Sequence, residues 1–469
     1  MFGEGQFSTE FMVIDVWYYL AAFMALLAVA ALALMDLGSV RRSNLIDCAV
    51  QKAVAIVAGG FGMMWIGYPI WQWQFNQAFG VPNPLGTAIK DWWFGGPLLR
   101  TPATDLDPAV VPEADVLQIF YVFFISFGML AGALLHGALT ERVRPLPLFA
   151  LAFFSGGLLS PFLGYLLWGS MSPLTNNGFH DFAAIAPVYI CIGAFSLAVN
   201  LVVRPRFGRF EAHTSGASPY SSNPALSLIG VLLLMVAIPF VMVGNGYFLP
   251  EQGFYGITFA SSGIGMMAAN LMVGFVGGGL AGLVIAYRRR EYSWALLGPL
   301  AGYVMVGAMI DIATPVVTFI AALFGPPLML VGHKVLERLR IDDAKAPLAV
   351  LPGVVGMIVT GFVGWHTAQG GYPGLTGEYE FQGAQVTPWM QVVGVAIALV
   401  LSFGTGLVLA LVLKRFGGLR IDEDAEVLGQ DRQWTAGHQS TTSDVTVVEA
   451  ADHGGPGDRP RERELPAAH

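Results

Sequence analysis

The stretch FMVIDVWYYLAAFMALLAVAALALM, residues 11–35, contains one charged residue, Asp15. About 20 apolar residues in helical form are enough to cross the hydrocarbon core of a bilayer. In lipid, every backbone N–H and C=O group must be bonded within the protein, so an apolar stretch of this length is predicted to be a helix. No basic segment precedes it, which favours a membrane helix over a cleavable leader.

Apolar stretches of this kind recur along the whole chain of 469 residues. Apolar residues make up 55% of the sequence and charged residues only 12%, about half the charged fraction of a soluble domain. The pattern predicts an all-α, polytopic membrane protein with about eleven transmembrane helices. The predicted spans are 12–35, 50–72, 116–139, 146–168, 181–203, 224–246, 260–286, 292–310, 314–334, 347–365 and 388–413.

The lysines and arginines alternate in density between successive loops. Loops on one side of the predicted membrane hold only Lys90 and Arg100. The loops on the other side hold Arg41, Arg42, Lys52, Arg142, Arg144, Arg204, Arg206, Arg209, Arg288, Arg289, Arg290, Lys334, Arg338, Arg340, Lys345, Lys414, Arg415 and Arg420. Because basic loops mark the cytoplasmic side, the N-terminus is predicted to lie outside and the C-terminus inside. This arrangement requires an odd number of spans.

The composition changes near residue 420. We expect residues 1–420 to form the transmembrane domain and residues 421–469 to form a polar cytoplasmic tail that is mostly disordered, above all from Ser440 onward. The two cysteines, Cys48 and Cys191, suggest neither a disulfide framework nor a metal site. The sequence shows no nucleophile–base set, metal cluster or nucleotide-binding loop, so no enzyme activity, cofactor or nucleic-acid partner is expected.

Five motifs in order along the chain carry a resemblance to a known family. They are LGSVRRSNLID (37–47), GALTERVR (137–144), WGSMSPLTNNGFHDFA (168–183), RLRIDD (338–343) and GGLRIDEDAEVLGQD (417–431). Each is weak alone, but their order, spacing and sidedness resemble those of the ammonium transporter (Amt/Rh) family. The chain is identified as a divergent member of that family.

The resemblance implies a particular architecture and activity. Two inverted repeats of five helices, braced by an eleventh, would enclose a narrow hydrophobic conduit for ammonium or ammonia in each subunit of a homotrimer. Such repeats are a common way to build a site near the bilayer midplane. The resemblance also implies the cell (inner) membrane as location and a possible cytoplasmic regulator at the C-terminal segment 417–431.

Four residues match the outer vestibule and gate of the family. Trp168 and Phe127 correspond to its outer aromatic pair, whose ring faces attract a cation. Asp181, which we expect to open the fifth span, resembles an aspartate that supports the recruitment site, and a carboxylate also suits a helix N-terminus. Asn245 lies near the position of a small hydroxyl residue, and its amide oxygen could accept a hydrogen bond from ammonium.

The middle of the predicted conduit departs from the family pattern. Family members usually line it with two histidines, but this chain has Tyr189 at the first position and no histidine in PLAVLPGVVG (347–356). Phe124 stands where the family commonly has glutamine. A tyrosine does not readily hold a second proton, so a relay of two imidazoles cannot operate there. His136 and His180 are candidate substitutes in the pore and the vestibule, but a lone membrane histidine more often makes an interhelical hydrogen bond.

Three functions remain open from the sequence. The leading hypothesis is an ammonium or ammonia channel or transporter whose apolar conduit has Tyr189 as its one polar member. A second is a non-transporting ammonium sensor that signals through the C-terminal segment. A third is a permease for another small solute.

Overall fold

A computed structural model describes residues 9–93, 96–100, 102, 114–210, 223–249, 252–342, 346–416 and 418–435. The predicted disorder of the tail from Ser440 onward lies outside these residues. The described part of the tail, residues 418–435, includes a short helix and packs against the membrane domain.

The structure is built from long apolar helices, as predicted. The main helices are α1 (Thr9–Ser39), α2 (Arg42–Ala78), α3 (Ala114–Leu139), α4 (Pro145–Leu167), α5 (Ile185–Val203), α6 (Pro224–Gly244), α7 (Ile264–Arg289), α8 (Ser293–Met309), α9 (Pro315–Arg338), α10 (Ala346–Val363), α11 (Pro388–Phe416) and α12 (Glu423–Leu428). Among the described residues, ten helices are long and apolar enough to cross a membrane, and α8 is a shorter apolar helix. The all-α membrane fold is confirmed, whereas the count of eleven spans stays a prediction.

The remaining elements are short. Two antiparallel ribbons consist of β1 (Gly246–Leu249) with β2 (Gly253–Gly256) and β3 (Ala368–Gln369) with β4 (Ala384–Gln385). Short helices cover Pro84–Trp92 and Pro97–Arg100, and single 3-10 turns cover Thr175–Asn177 and Gly377–Tyr379. Segments of α2, α4 and α5 have π-helical geometry, namely Met63–Gly67, Ser155–Leu159 and Ile185–Ile190.

Two expectations about helix boundaries were wrong. Asp181 does not open the fifth span, because the chain stays irregular up to Ala184, whose φ of 55° is left-handed, and the helix begins at Ile185. Lys52, which the loop count assigned to a basic loop, lies inside α2 and is buried. The first error arises because an αL residue without glycine leaves no trace in hydropathy.

Close glycine contacts recur in the two halves of the chain. Between α2 and α3, a Cβ atom added to Gly128 would lie 2.6 Å from the carbonyl oxygen of Gly59. Between α7 and α8, a Cβ atom added to Gly278 would lie 2.6 Å from Cα of Gly302. Small residues permit such backbone approach where the hydrophobic effect cannot drive helix packing. The same packing device at corresponding positions matches the predicted inverted repeat.

The two halves meet along two helix pairs. Helix α1 packs along α6, and α5 packs against α10, while α11 lies against α5 from outside the pair. The space between these pairs is the interior of the bundle. Helices from both halves border this interior. A central cavity would therefore lie at the boundary between the two repeats.

One end of the bundle, here called the basic face, carries the loops α1–α2, α3–α4, α5–α6 and α9–α10. Its centre is an ion-pair network in which Glu141 Oε2 accepts from Arg206 Nη1 at 3.2 Å and Glu141 Oε1 accepts from Arg41 Nε at 3.3 Å. Arg206 Nε also donates to Asp342 Oδ2 at 2.7 Å. Burial opposes ionisation of Glu141, but Arg206 and Arg41 outweigh it and lower the pKa of this carboxyl. The network ties four loops together.

The C-terminal segment docks on the same face. Arg420 Nη2 donates to Glu426 Oε2 at 2.7 Å, and Glu426 Oε1 accepts from the backbone N–H of Phe207 at 2.7 Å. Further along, the N–H of Gln430 donates to Asn44 Oδ1 at 2.8 Å, at the start of α2. These contacts connect the tail to loops of both the first and the fifth helices.

Candidate functional site

An aromatic wall closes the end of the bundle opposite the basic face. Phe127 on α3 and Trp168 at the end of α4 stack with ring centroids 5.7 Å apart and planes at 30°. Phe124, one helical turn before Phe127, lies 5.8 Å from Trp168 and 4.1 Å from the ring of Trp71. All four rings are buried. The structure therefore brings together the three aromatic residues that were predicted to form the vestibule, the gate and the start of the pore lining.

Hydrogen bonds hold Trp168 in place on both sides. Its carbonyl oxygen accepts from Trp71 Nε1 at 2.9 Å, and its own Nε1 donates to the carbonyl oxygen of Phe182 at 3.2 Å. Asn245 Nδ2 donates to the same Phe182 oxygen at 3.3 Å. Asn245 is fully buried, and within the described part of the chain its Oδ1 atom accepts no hydrogen bond. Asn245 therefore shares a carbonyl partner with Trp168 behind the aromatic wall, and it is not among the residues that line the two cavities described below.

Asp181 fixes the turn that carries Phe182 and Ala183. Its two carboxylate oxygens accept from the backbone N–H groups of Ile185 at 3.0 Å and of Ala186 at 2.8 Å. These are two of the amides that the start of a helix leaves without an intrahelical partner. Burial raises the pKa of Asp181 to about 6, against the lowering effect of the two amides. Asp181 therefore positions the site from behind, and it does not line a cavity.

Behind the aromatic wall lies a cavity of about 110 Å³. A smaller pocket of about 20 Å³ lies on its outer side, among Phe124, Trp168 and their neighbours. Phe127 and Val188 border both spaces and separate them. The larger cavity reaches from these two residues to Asp36 and Gly137 near the basic face. Because Phe127 and Gly137 are ten residues apart on α3, it extends about 15 Å along the helix axis.

The lining of the larger cavity is almost wholly apolar. It comprises Ala25, Ala28, Leu32, Met35, Asp36, Phe127, Leu130, Ala133, Leu134, Gly137, Ala183, Val188, Tyr189, Ile192, Leu234, Ile238, Val241, Met242, Leu297, Leu300, Tyr303, Val304, Met329, Ala346 and Ala349. Side chains from both halves of the chain contribute, as the inverted repeat requires. From α10 the lining takes Ala346 and Ala349, so no imidazole projects from that helix.

Tyr189 lines this cavity, as predicted, but it is not the only polar residue there. Its ring lies edge-on to that of Tyr303 on α8, with centroids 5.7 Å apart, and the two phenol groups interact electrostatically. Asp36 near the end of α1 is the third polar residue on the lining. Sequence analysis missed Tyr303 and Asp36. For Tyr303 the available signal was a hydroxyl-bearing residue in the otherwise apolar eighth span.

The structure places His180 away from both cavities. Its Nε2 atom lies 3.0 Å from Asp311 Oδ1 and its Nδ1 atom 2.8 Å from Gln369 Oε1, and the side chain is fully buried. Burial disfavours the imidazolium, but Asp311 outweighs it and raises the pKa of His180. Gln369 in turn donates to the carbonyl oxygen of Phe179 at 2.8 Å. His180 therefore links the loop before α5 to the loops after α8 and α10.

His136 also lies outside the lining, directly behind Asp36. Its Nδ1 atom is 3.5 Å from Asp36 Oδ2, and the same carboxylate is ion-paired with Lys52. The three side chains come from α1, α2 and α3 and are all buried. The interhelical contact that the sequence favoured for His136 is therefore present, and its partner is a residue of the cavity wall.

The comparisons with known proteins agree with this geometry. The model of the Ammonium Transporter Family matches residues 16–440. The ammonium transporter Amt1 of Methanocaldococcus jannaschii is 25% identical over 424 residues, which cover 89% of this chain and 95% of the relative.

Solved structures show the same fold. A sensor Amt protein superposes with a TM-score of 0.68 at 22% identity, covering 90% of this chain and 97% of the other. The Rh50 protein of Nitrosomonas europaea superposes with a TM-score of 0.58 at 18% identity, covering 95% and 100% of the two chains. The family match extends over nearly all described helices. The chain belongs to the ammonium transporter family.

Proposed function

We propose that this protein is an ammonium or ammonia channel or transporter in which each subunit conducts through its own cavity. The observation that carries the proposal is the apolar cavity between Phe127 and Asp36, closed at its outer end by a stacked aromatic pair. Family membership and the named activity of the curated relatives support it. The loss of both pore histidines changes how the cavity works and leaves the cavity in place.

Recruitment takes place at the aromatic wall. A cation over an aromatic face gains about 0.5–2 kcal/mol, with the larger values where water is excluded. The rings of Trp168 and Phe127 supply that surface, and Asn245 supports it from behind through the Phe182 carbonyl oxygen that it shares with Trp168. The larger cavity offers no comparable set of acceptors along its length, so an ion is disfavoured there. Ammonium gives its proton to water on the outer side, and neutral ammonia crosses the cavity.

The Tyr189–Tyr303 pair provides the polar step in mid-cavity. Each hydroxyl can both donate and accept, so either member of the pair can form a hydrogen bond with ammonia as it passes. It does not supply a proton relay between imidazoles. This difference predicts passage of a neutral molecule through the middle of the cavity.

Assembly, location and topology form part of the proposal. The protein is a homotrimer in the cell inner membrane, with the aromatic wall outside and the basic face in the cytoplasm. The density of arginines on the basic face supports that orientation. The tail segment 418–435 is the handle for a cytoplasmic regulator, because Asp431 Oδ1 accepts from the N–H of Asp47 on α2 at 2.9 Å. The disordered tail beyond it remains a prediction.

Flux through purified protein in liposomes tests the proposal. An ammonium pulse is applied to vesicles that contain a pH dye, and the rate of lumenal alkalinisation is compared with that of protein-free vesicles. Entry of ammonia faster than through lipid alone is expected, with competition by methylammonium. A supported-membrane recording of the same vesicles shows whether charge also moves.

The sensor and permease alternatives predict different results. Ammonium binding without flux would favour a sensor, and the absence of both would favour another solute. The likeness to a sensor Amt protein is one of fold at 22% identity, and it does not favour a sensory role over the transport named for the curated relatives.

A further inference from the structure

A charged cluster lies at the inner end of the cavity, and the transport proposal makes no use of it. Lys52 Nζ is ion-paired with Asp36 Oδ2 and donates to the carbonyl oxygen of Ala133 at 2.7 Å. His136 Nδ1 lies 3.5 Å from the same Asp36 oxygen. Each of the three residues is 2% exposed. The cluster is called the inner triad below and consists of Asp36, Lys52 and His136.

The inner triad borders the conduction path. Asp36 is the one ionisable residue other than the two tyrosines on the described cavity lining. Next to it on the lining is Gly137, where an added Cβ atom would lie 2.9 Å from Asp36 Oδ2. The absence of a side chain at Gly137 therefore leaves the carboxylate room on the cavity side. A molecule that has passed Tyr189 and Tyr303 meets Asp36 before it reaches the basic face.

The chemistry of the inner triad differs from that of a structural ion pair. Two residues, one acidic and one basic, are enough to neutralise each other between α1 and α2. Buried charges within a membrane are costly and tend to mark pathways. The third member is an imidazole, the only side chain whose ordinary pKa lies in the physiological range. With His136 neutral the inner triad has no net charge, and with His136 protonated it carries one positive charge beside the carboxylate.

The surroundings of His136 contain few other charges. Asp36 faces it from α1 and Lys52 from α2. The helices that pack against α3 at other points are the described parts of α4, α5 and α10, and none of them carries an acidic or basic residue. Helix α6, which lines the cavity opposite, is also uncharged. Among the described charged side chains, those of Asp36 and Lys52 are thus the ones that the structure brings to His136.

We propose that the inner triad is a proton-exchange site for ammonia leaving the cavity, an inference that rests on the transport function proposed above. The imidazolium of His136 transfers a proton to the Asp36 carboxylate, and the Asp36 carboxyl group passes one to ammonia in the cavity. The products are neutral His136 and ammonium, whose charge is met by the carboxylate. Ammonium leaves toward the basic face, and one proton from water at the inner end of the cavity returns to His136 through Asp36. No oxidant, reductant or further reactant is needed.

The first test follows the protonation of His136 directly. The full-length protein, labelled with ¹⁵N-histidine and reconstituted in liposomes, is titrated by solid-state NMR. His136→Gln identifies the His136 signal among the eight histidines. A change of that signal between about pH 5 and 8 is expected. A His136 signal that stays constant over this range would overturn the inference whether or not the protein transports.

The second test measures ammonia flux while the pH on the side of the basic face is varied. Each unit of pH rise lowers the proton concentration on that side about tenfold, so the wild-type flux should fall by up to that factor. His136→Gln should abolish this dependence. The matched control is His333→Gln, a histidine on α9 that lies 3.3 Å from Glu337 and outside the cavity lining. It should keep the wild-type profile.

The outcomes separate the two proposals. Absence of flux in the wild-type protein would refute transport, and the exit step with it. Flux with the same pH profile in the wild type and in His136→Gln would refute the inner triad and leave transport standing. If His136→Gln does not yield a monodisperse protein, the double variant Asp36→Asn with Lys52→Met retains His136 and removes both neighbouring charges. It should shift the NMR titration, and an unshifted titration would contradict the coupling.

Discussion

The two ends of the cavity each have a buried aspartate, but the negative charge is compensated in different ways. At the outer end, Asp181 accepts hydrogen bonds from two backbone N–H groups, and no basic side chain in the described part of the chain donates to it. At the inner end, Asp36 is paired with Lys52, and His136 lies beside it. The first carboxylate organises a turn from behind the aromatic wall. The second faces the cavity itself.

This difference suggests how one subunit can treat the substrate differently at its two ends. Partial charges of amides offset a carboxylate without contributing a full positive charge, so the outer end stays favourable for a cation. The positive charge of Lys52 neutralises the negative charge of Asp36. The net charge at the inner end therefore depends on whether His136 carries one additional proton. Attraction at one end and proton exchange at the other are therefore expected properties of the same cavity.

Lys52→Met, at the inner end of the cavity, should cause the largest loss of stability. It leaves the Asp36 carboxylate buried without its cation, a change that costs about 3–5 kcal/mol of unfolding free energy. Thermal unfolding in detergent, followed by loss of the monodisperse peak, measures the effect. Asp36→Asn with Lys52→Met is the matched control, because it removes both charges, and it should recover most of the lost stability. Equal loss in the single and double variants would show that the pair is not coupled.

Asp181→Ala should damage the outer end by a smaller amount. Two buried amides lose their acceptor, which costs about 2–4 kcal/mol. Burial raises the pKa of Asp181 to about 6. At neutral pH the cost of burying the ionised carboxylate therefore reduces its net contribution to the free energy of unfolding. Asp181→Asn keeps one oxygen acceptor and should lose about half as much. Thermal unfolding ranks the two variants, and identical unfolding of Asp181→Ala and wild type would contradict the role of the cap.

Glu141→Gln tests a third carboxylate, on the basic face, through the pH dependence of its contribution to stability. The pKa of Glu141 is lowered in the folded protein, so its stabilising contribution is present above the unfolded pKa of about 4.3 and is lost as the pH falls through the folded value. The substitution should cost about 1–3 kcal/mol at pH 7. The difference from wild type should shrink when thermal unfolding is repeated below about pH 4. A difference that does not change with pH would contradict the ion-pair assignment.

Tyr303→Phe should have the smallest effect, because it removes one hydroxyl group from the cavity lining and keeps the ring that packs on Tyr189. A loss of about 0.5–1.5 kcal/mol in stability is expected. Ammonia flux should change by less than about fivefold, the factor that corresponds to about 1 kcal/mol. Tyr303→Leu is the harsher comparison, since it also removes the ring that packs on Tyr189. Complete loss of flux in Tyr303→Phe would show that the hydroxyl pair does more than the present account assigns to it.

The features that sequence analysis predicted correctly depend on local signals. Long apolar stretches revealed the helices, and motif order revealed the family. Matching the motifs to a shared architecture pointed to Phe127, Trp168 and Tyr189 as site residues, and their roles in conduction stay predictions. The glycine contacts of α2 with α3 and of α7 with α8 reflect composition that was visible from the start.

The features that sequence analysis missed depend on contacts between distant segments. Asp36, Lys52 and His136 lie on three helices, and no spacing rule connects them. Tyr303 meets Tyr189 across the two halves of the repeat. The late start of α5 depends on the left-handed φ of Ala184. An alanine in the sequence does not indicate a left-handed backbone conformation. Such features require the helix packing to be known first.

Occlusion of the cavity tests the central claim most directly. Val188 separates the outer pocket from the larger cavity, and Val188→Trp would fill the passage beside Phe127. The matched control is Val400→Trp on α11, at a position that is 71% exposed on the outside of the bundle. In liposomes, Val188→Trp should lose protein-mediated ammonia flux, while Val400→Trp should conduct like the wild type. Wild-type flux through a monodisperse, reconstituted Val188→Trp protein would contradict conduction through this cavity.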